Sequence, residues 1–506
     1  MSPISQQQLP RLTLIRVLTV LISLLLSWLA VTLDSLPNDD TYTYLRAAES
    51  VLQNGIPAAY QHHQWANMSV LMAAIHSVTG LSLLQSAYFI SAAMFALLSL
   101  GFVNLVAAIA PSRRVVWLAM LVIFSYPQIN EFRAYIIRDI GFLAFSVTAI
   151  VQLIHYNRTL LMRHSVLFIA SCFAAALFRP EALLFMFIAP VGLLMNAGLS
   201  ENNRRRGFIR LELVSMLVIV AVLAVFAGSR IELNQQLLTY LEIYQPFVGN
   251  LRDLFTGNDA IARAVLGEYA AQYVGDYTGI FLLTGLLSLL AACIIDSLGL
   301  VVAPLLAYGY LKGLIRIERP ALQLILIWAV TALFILLAFT LITRFITTRY
   351  TLLLTTVLLI FVPFIVDRAW SIARANGHSK RFGALMMFLL LFGFIDSHFS
   401  FGASKSHLQD GATWIAGHTR SNAPLLTNQI YLAYSSGRVS DYELVRRDLE
   451  PGMIRRATPG TIVAVSPRSG FVSELESEIA RGALRLIHTV PAERGADLLI
   501  FEKELD

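Results

Sequence analysis

Two adjacent aspartates, Asp39 and Asp40, follow the first long apolar segment of the chain, in the stretch LDSLPNDDTYTYLRAAESVLQNG (residues 33–55). A carboxylate can act as a general base toward a hydroxyl group or as a ligand of a divalent metal ion. The following residues predict a short helix, on which Asp40 and Tyr44 share a face because they are four positions apart. Asp39 is equally suited to cap this helix, since Asp is a favourable N-cap residue.

Charged residues also stand at the ends of later apolar segments. They are Glu131, Arg133, Arg138 and Asp139 in INEFRAYIIRDIG, Arg179 and Glu181 in LFRPEALL, and Arg344 and Arg349 in LITRFITTRYTLLL. A charge at membrane depth costs about 2.5–3.5 kcal/mol on insertion scales, so several charges on one face predict a shared polar cavity. The planar fork of arginine suits a phosphate group.

Each of these groups also has a purely structural interpretation. The residues from Glu131 to Asp139 can form ion pairs that anchor a loop, and Arg344 and Arg349 can extend toward the interface from the ends of spans. His62 and His63 are adjacent and cannot share one helix face, which favours a surface loop over a metal site.

The composition is that of a membrane protein. Of 506 residues, 57% are hydrophobic and only 14% are charged, whereas soluble domains carry about 25% charged residues. The two cysteines, Cys172 and Cys293, lie in apolar stretches, which excludes a disulfide framework and a cysteine-based metal site. The apolar run that ends at Leu33 is too long for the core of a signal peptide and predicts a retained anchor.

A membrane span needs about 20 predominantly apolar residues. The hydropathy pattern predicts about eleven spans, near residues 12–33, 81–110, 115–127, 135–155, 164–178, 181–197, 210–229, 290–311, 321–342, 350–366 and 383–399. The segment 278–311 is too long for one span and too short for two. It predicts an interfacial helix that leads into a span, with Asp296 at the junction.

Basic residues predict the orientation. With the N-terminus in the cytoplasm, the cytoplasmic ends carry seventeen Lys and Arg residues and the opposite face before residue 400 carries nine. The net charge of +6 is therefore chiefly a topology signal and does not indicate a nucleic-acid partner. This orientation places the loop 34–80, a longer loop at 230–277, and everything after the last span outside the cytoplasm.

The composition becomes ordinary after about residue 400. Short strands are predicted at 424–428, 461–467, 483–490 and 497–503, with helices at 407–419 and 472–482. This alternation predicts two domains: a transmembrane domain at 1–400 and a small extracytoplasmic α/β domain at 401–506. The chain contains no GxGxxG or P-loop motif, so nucleotide binding is not indicated, and no internal repeat typical of many transporters.

The chain resembles the GT-C superfamily of integral-membrane glycosyltransferases, particularly the bacterial branch that includes the aminoarabinose transferase of lipid A and protein mannosyltransferase-like enzymes. A pattern similar to D-x-x-x-Y-L-x-x-A occurs here as Asp40, Tyr44, Leu45 and Ala48, with Gly55 ending the helix. The turn Arg179-Pro180-Glu181, the pair Arg349-Tyr350 and the stretch 410–438 are similar to motifs in that group. Each motif alone is weak evidence, but their order and topology together are specific. The resemblance covers nearly the whole chain. The tyrosine spacing favours Asp40 over Asp39 as the family base.

The resemblance implies a polytopic GT-C-like enzyme of a bacterial inner membrane, with an active site facing the periplasm. It implies transfer of a sugar from a polyprenyl-phosphate carrier to a glycan, lipid or protein acceptor. Asp40, supported by Asp39, would deprotonate the acceptor or help bind a divalent metal, although a metal requirement is not visible in the sequence. Arg179, Arg344, Arg349 and Arg138 would bind the donor phosphate, and Tyr44, Glu131, Arg133, Asp139 and Glu181 would support them.

Two other functions fit the same residues. A flippase or transporter for a lipid-linked glycan needs arginines and an apolar slot, but not an aspartate in the first loop. A polymerase or ligase acting on a diphosphate-linked glycan is also compatible with the sequence.

Overall fold

A computed structural model describes residues 9–33, 36–228, 245, 247–254, 259–399, 405–445, 449–450, 452–467, 472–493 and 495–504. The helices are α1 (Leu9–Leu33), α2 (Asp40–Asn54), α3 (Ile56–His62), α4 (Asn67–Thr79), α5 (Leu83–Ile109), α6 (Arg113–Phe124), α7 (Pro127–Asn130), α8 (Asp139–Thr159), α9 (Met162–Phe178), α10 (Ala182–Ile188), α11 (Val191–Leu194), α12 (Glu201–Gly228), α13 (Asp259–Val274), α14 (Thr278–Leu311), α15 (Arg319–Thr343), α16 (Thr348–Leu359), α17 (Val362–Ala375), α18 (Ser379–His398), α19 (Ser406–His418), α20 (Ile430–Ser436), α21 (Met453–Arg456) and α22 (Val472–Ala480). The strands are β1 (Leu425–Thr427), β2 (Ile462–Val465), β3 (Leu484–Val490) and β4 (Leu498–Lys503).

The described residues form a polytopic helical membrane protein, as predicted. Seven of their helices are long and apolar enough to cross a membrane, or up to nine if each of two bent pairs is one span. The two other predicted spans correspond to shorter apolar segments, Met162–Phe178 and Ala182–Leu194. The total of eleven therefore stays a prediction.

Prolines accompany both bends. α6 and the segment Pro127–Ala134 meet at 56°, and α16 and α17 meet at 40°. Pro127 and Pro363 occupy the first turn of the second helix in each pair. A proline in the first helical turn removes no intrahelical hydrogen bond, which allows the chain to change direction and start a new helix there.

α14 is broken near the junction predicted at Asp296. Gly299 lies inside this helix with φ 73° and ψ 170°, and Pro304 follows five residues later. This backbone conformation is essentially restricted to glycine. The segment 278–311 is therefore bent rather than one straight span, whereas an interfacial position of its first half stays a prediction.

Contacts divide the chain into two units. The first unit comprises Met1–Leu26, Ser91–Phe132 and Arg138–His398, and the second comprises Ser27–Ile90, Arg133–Ile137 and Phe399–Asp506. The predicted extracytoplasmic domain at 401–506 thus lies within the second unit, together with residues of the first predicted loop. In the predicted loop 230–277, residues 230–244, 246 and 255–258 lie outside the described residues.

Helix packing builds the first unit. α8 and α9 form an antiparallel pair in which Gly141 lies against Phe178, and a Cβ atom added at Gly141 would come within 2.5 Å of the Phe178 ring. Phe185 and Trp328 stack with their ring centroids 4.5 Å apart and join α10 to α15. Close packing of this kind holds the polar residues at the ends of these helices in fixed positions.

A mixed sheet is the centre of the second unit's C-terminal part. The described strands are ordered β1-β2-β4-β3; β1 pairs with β2 in parallel, and the other pairs are antiparallel. All four residues of β2 are buried, and apolar clusters lie on both faces of the sheet. The predicted strands and the predicted helices at 407–419 and 472–482 are all present.

Candidate functional site

The two first-loop aspartates lie at the start of α2. Asp39 occupies the N-cap position and Asp40 is the first helical residue. Both residues are exposed, whereas the next turn contributes the buried Thr41, Tyr42 and Tyr44. The carboxylates are therefore accessible to a substrate, while the helix that carries them is anchored in the second unit.

The side chain of Asp39 does not cap α2, which corrects the structural alternative drawn from its position. Asp39 has helical φ and ψ angles of −61° and −33°, and its side chain makes no capping hydrogen bond. Asn38 contacts the start of the helix instead: its Oδ1 accepts a hydrogen bond from the Thr41 hydroxyl at 2.9 Å, and its carbonyl accepts one from the Thr41 N–H at 3.0 Å. An N-cap residue normally has extended backbone angles, which explains why Asp39 is not suited to the role here.

Asn38 also fixes the approach to the aspartates. Its Oδ1 accepts a hydrogen bond from the backbone N–H of Ile136 at 2.8 Å, and its Nδ2 donates to the Ile136 carbonyl at 3.4 Å. This paired contact connects the residue before Asp39 to the chain before α8. No sequence pattern indicates this contact, since the two residues are 98 positions apart.

The histidines near this helix serve as packing and ion-pair partners. The ring of Tyr44 lies edge-on to that of His63, with centroids 5.6 Å apart. His62 ends α3, and its Nε2 lies 3.2 Å from Oε1 of Glu443. Within the described residues, no group of three or more His, Cys, Asp or Glu side chains has the spacing of a metal site.

In the first unit, Asp139 joins two of the predicted phosphate-binding arginines. Nη2 of Arg179 donates a hydrogen bond to Oδ1 of Asp139, and Nε of Arg349 lies 3.6 Å from Oδ2 of the same carboxylate. Nη1 of Arg179 also donates to Glu181 at 3.0 Å. Of the two interpretations of Asp139, an ion pair within its own loop or support of the arginines, the structure has the second, with partners from the α9–α10 junction and α16.

Tyr350 completes this group. The guanidinium carbon of Arg179 lies 4.8 Å from the centroid of the Tyr350 ring, and that of Arg349 lies 5.8 Å from it. The side chain of Arg179 is 9% exposed, whereas that of Arg349 is 31% exposed. Arg179 is therefore an internal part of the network, and Arg349 is the arginine at its surface.

The other two predicted phosphate ligands in the first unit are Arg344 and Arg138. Nη2 of Arg344 binds Oδ2 of Asp253 at 3.0 Å and the carbonyl of Asn250 at 2.9 Å. Arg138 is half-buried at the N-cap position of α8, directly before Asp139. Arg344 thus belongs to a different ion pair from Arg179 and Arg349.

Glu131 and Arg133 belong to different units. Glu131 is exposed and interacts electrostatically with Asp296 and Asp396 of the first unit. Arg133 is only 1% exposed and belongs to the second unit, where its Nη1 donates to the Ser27 hydroxyl at 2.9 Å. The partners described for these two residues therefore differ, although the residues are neighbours in sequence.

An apolar cavity of about 820 Å³ lies in the first unit. It is lined mainly by aliphatic residues of α6, α14 and α16–α18, and Asp296 and Asp396 are the acidic residues of its wall. No lysine or arginine occurs among the described residues that line it. The cavity fits a hydrocarbon chain, since apolar surface favours apolar contents.

Two residues that the sequence analysis did not select form part of the second unit's polar network. Arg46 of α2 and Glu443, which lies in a 3₁₀ turn after α20, face each other with Nε and Oε1 3.7 Å apart. The spacing of Arg46 and Glu49 predicts a local helical ion pair. Nothing in the sequence connects Arg46 to a residue almost 400 positions later.

Comparison with known proteins gives a match at the level of structure. No family model and no curated protein matches the chain. ArnT from Cupriavidus metallidurans, solved bound to undecaprenyl phosphate, matches with a TM-score of 0.53 and 12% identity over 96% of this chain and 97% of ArnT. The oligosaccharyltransferase of Archaeoglobus fulgidus, solved with a tethered acceptor peptide, matches with a TM-score of 0.41 and 15% identity over 86% of this chain and 59% of that one.

The match to ArnT extends over both chains almost completely, although the identity is low. It therefore concerns the order and arrangement of the helices rather than individual side chains. The chain has a GT-C-like membrane fold.

Proposed function

We propose that this protein is a membrane glycosyltransferase that moves a sugar from a polyprenyl-phosphate-linked donor to an acceptor outside the cytoplasm. The observation that carries the proposal is the near full-length similarity to ArnT, which was solved with undecaprenyl phosphate. The acceptor is a glycan, lipid or protein of the cell envelope, and the membrane is the bacterial inner membrane. The exposed aspartates and the arginine network supply the groups that such a reaction needs.

Asp40 is the proposed general base. Its carboxylate accepts the proton of an acceptor hydroxyl while the hydroxyl oxygen forms a bond to the anomeric carbon of the donor sugar. The bond between that carbon and the phosphate oxygen breaks, and its electron pair leaves with the polyprenyl phosphate. General-base catalysis typically contributes about 10²–10⁴-fold to such a step. The exposure of Asp40 at the start of α2 supports this role.

Arg349 is the proposed contact to the donor phosphate. Its side chain is partly exposed, and Asp139 and Tyr350 limit the positions it can adopt. A preorganised cation stabilises the negative charge that grows on the leaving phosphate without having to reorient during the reaction. Arg179 supports it from inside the network through the carboxylate they share.

The apolar cavity supplies volume for the hydrocarbon part of a lipid-linked substrate. Burial of each CH₂ group contributes about 0.8 kcal/mol, so a long chain adds affinity without any polar contact. The acidic residues in the cavity wall, Asp296 and Asp396, favour a chain rather than a phosphate in this part of the protein.

Asp39 and Asp40, the adjacent carboxylates at the start of α2, are the residues that would hold a divalent ion. Two carboxylates fit Mg²⁺, which is usually bound by one or two carboxylates together with substrate phosphates. Such an ion would supply positive charge to the leaving phosphate, and the steps above are those of the protein's own side chains.

The test is a transfer assay on purified protein with polyprenyl-phosphate sugars and an envelope extract as acceptor. Asp40→Asn keeps the size of the side chain and removes the base, so we expect the transfer rate to fall by about 10²–10⁴-fold. Asp39→Asn is the matched control, because it changes the adjacent carboxylate at the same helix end. We expect it to keep measurable activity.

The thermal unfolding temperatures of both variants are measured as well. If they match, a difference in transfer rate reflects the reaction and not a loss of folded protein. If Asp39→Asn is inactive and Asp40→Asn is normal, the base is Asp39. If both variants transfer sugar normally, the base mechanism is wrong. If the wild-type protein moves a lipid-linked glycan across a vesicle membrane without transferring it, the chain is a flippase.

A further inference from the structure

α2 is anchored by residues from the C-terminal part of the second unit. Oε1 of Glu443 lies 3.7 Å from Nε of Arg46 and 3.2 Å from Nε2 of His62. The side chain of Glu443 is only 4% exposed, and its Oε2 has no hydrogen-bond partner within the described part of the chain. A carboxylate this deeply buried depends on its cationic partners to remain in place.

An aromatic cluster strengthens the same contact. Tyr42 of α2 lies edge-on to Tyr434 and Tyr442, with centroids 5.4 and 6.5 Å apart, and those two rings are 5.1 Å from each other. The guanidinium of Arg46 lies 5.9 Å from the centroid of the Tyr442 ring. Burial raises the pKa of both Tyr42 and Tyr442, which keeps their phenol groups neutral.

Asp39 and Asp40 thus lie between two anchors. On one side, Asn38 is hydrogen-bonded to the backbone of Ile136. On the other side, Tyr42 and Arg46 are held by residues 434–443. The two aspartates are exposed, but the residues on both sides of them are fixed by contacts that are distant in sequence.

We propose that Glu443 is a positioning residue for the transfer reaction, because it holds Arg46 and thereby fixes the helix end that presents Asp40. This inference rests on the proposed function of Asp40 as the base. It assigns a role to the C-terminal part of the chain: Tyr434, Tyr442 and Glu443 hold α2, and with it Asp40, in place.

Burial singles out Glu443 among the carboxylates around Arg46. Asp441 lies 3.6 Å from the same guanidinium, but its side chain is 63% exposed. Glu49 lies 3.4 Å away on α2 itself, so its ion pair with Arg46 is internal to the helix. Exposed ion pairs contribute little to stability because water screens their charges. Removal of one partner of a buried pair costs more, because it leaves the charge of the other partner buried and unpaired.

The experiment compares Glu443→Gln with Asp441→Asn in the full-length protein. Both changes neutralise a carboxylate beside Arg46, but only the first one is buried. For Glu443→Gln we expect kcat to fall by about tenfold to a hundredfold with an unchanged KM for the donor, because a displacement of about 1 Å can cost about 10²-fold. For Asp441→Asn we expect both parameters to stay at wild-type values.

A double-mutant cycle tests whether Glu443 acts through Arg46. Arg46→Gln should lower kcat as Glu443→Gln does, and the double variant should be no worse than either single variant, since the two residues act as one unit. Additive losses would overturn the proposal. So would a normal kcat for Glu443→Gln in a protein with wild-type thermal stability.

Hydrogen–deuterium exchange of residues 40–54 gives a readout that does not depend on activity. Glu443→Gln should speed amide exchange in this helix and leave exchange in α8 unchanged, whereas Asp441→Asn should change neither. Unchanged exchange in α2 would overturn the positioning role even if kcat falls. If the wild-type protein transfers no sugar, the proposed function fails, and the exchange result still decides whether Glu443 holds α2.

Discussion

At the scale of single residues, the arginines predicted to bind phosphate differ in how strongly the protein already engages them. Asp139 and Glu181 hold the guanidinium of Arg179, which is almost completely buried. Asp253 and the Asn250 carbonyl hold that of Arg344. Arg349 is the more exposed partner of Asp139. Since a phosphate must compete with the existing partners of an arginine, these three residues should not contribute equally to donor binding.

We expect Arg349→Lys to weaken binding of polyprenyl phosphate by about tenfold, which corresponds to about 1.4 kcal/mol. Lysine keeps the charge but loses the planar fork that binds two phosphate oxygens at once. The measurement is the Kd of the purified variant for a fluorescent polyprenyl phosphate in detergent.

Arg344→Lys is the matched control, since it makes the same substitution in an arginine held by Asp253. It should bind the lipid as the wild-type protein does. Arg179→Lys should instead lower the thermal unfolding temperature, because it disturbs a buried ion pair. If Arg349→Lys and the wild type bind the lipid equally well, Arg349 does not bind the donor phosphate through its planar fork.

At the scale of elements, the break in α14 determines the shape of the wall next to the apolar cavity. The Tyr126 hydroxyl donates a hydrogen bond to the Ser297 carbonyl, and the Ser297 hydroxyl donates to the carbonyl of Thr348 at 3.2 Å. These contacts satisfy polar groups next to the break, where the regular helical hydrogen bonds are interrupted. Gly299 permits the break because its φ of 73° has no steric cost for glycine.

Gly299→Ala should therefore destabilise the protein by about 1–3 kcal/mol, the usual cost of a residue forced into a sparsely populated backbone region. Its Cβ atom would also lie 2.8 Å from Nε2 of Gln128. Thermal unfolding in detergent, followed by intrinsic fluorescence, measures the effect.

Gly285→Ala is the control in the same helix. A Cβ atom there meets nothing within 4 Å, and alanine is a better helix former than glycine. We expect an unchanged or slightly higher unfolding temperature. A similar decrease for both variants would show that α14 tolerates no added methyl group and that the break is not the cause.

At the scale of the whole molecule, the distribution of basic residues predicts which face each segment occupies. The proposed reaction requires α2 and residues 405–504 on the outer face of the membrane. Single cysteines at Gln53 and Ser421, both exposed positions, should react with a membrane-impermeant thiol reagent in intact cells with a permeabilised outer membrane.

The native cysteines do not obscure this measurement if Cys293 is replaced by serine, because Cys172 is buried. Asn376→Cys, in the exposed turn between α17 and α18, is the cytoplasmic control and should react only after lysis. Protection of Gln53→Cys or Ser421→Cys until lysis would contradict the orientation and the proposed function with it.

The sequence by itself determined the features that depend on local patterns. Runs of apolar residues are sufficient to indicate membrane helices, because the bilayer imposes both length and hydropathy on them. Alternating strands and helices after residue 400 were predicted for the same local reason, and the strands occur where they were expected. The motifs around Asp40, Arg179 and Arg349, which are similar to those of GT-C enzymes, predicted the GT-C-like fold. The number of spans does not follow from hydropathy alone, because α9 and α10–α11 are apolar but shorter than a full span.

Only the tertiary structure decided which charged residues meet. The sequence left open whether Asp139 pairs within its own loop or supports the arginines of other segments, and the structure places it against Arg179 and Arg349. Asp39 was a natural cap by residue type, yet its helical backbone angles prevent that role. Glu443 and Arg46 meet across almost 400 residues of chain. An ion pair depends on distance and burial, and for residues far apart in sequence only the packing of the intervening helices fixes both.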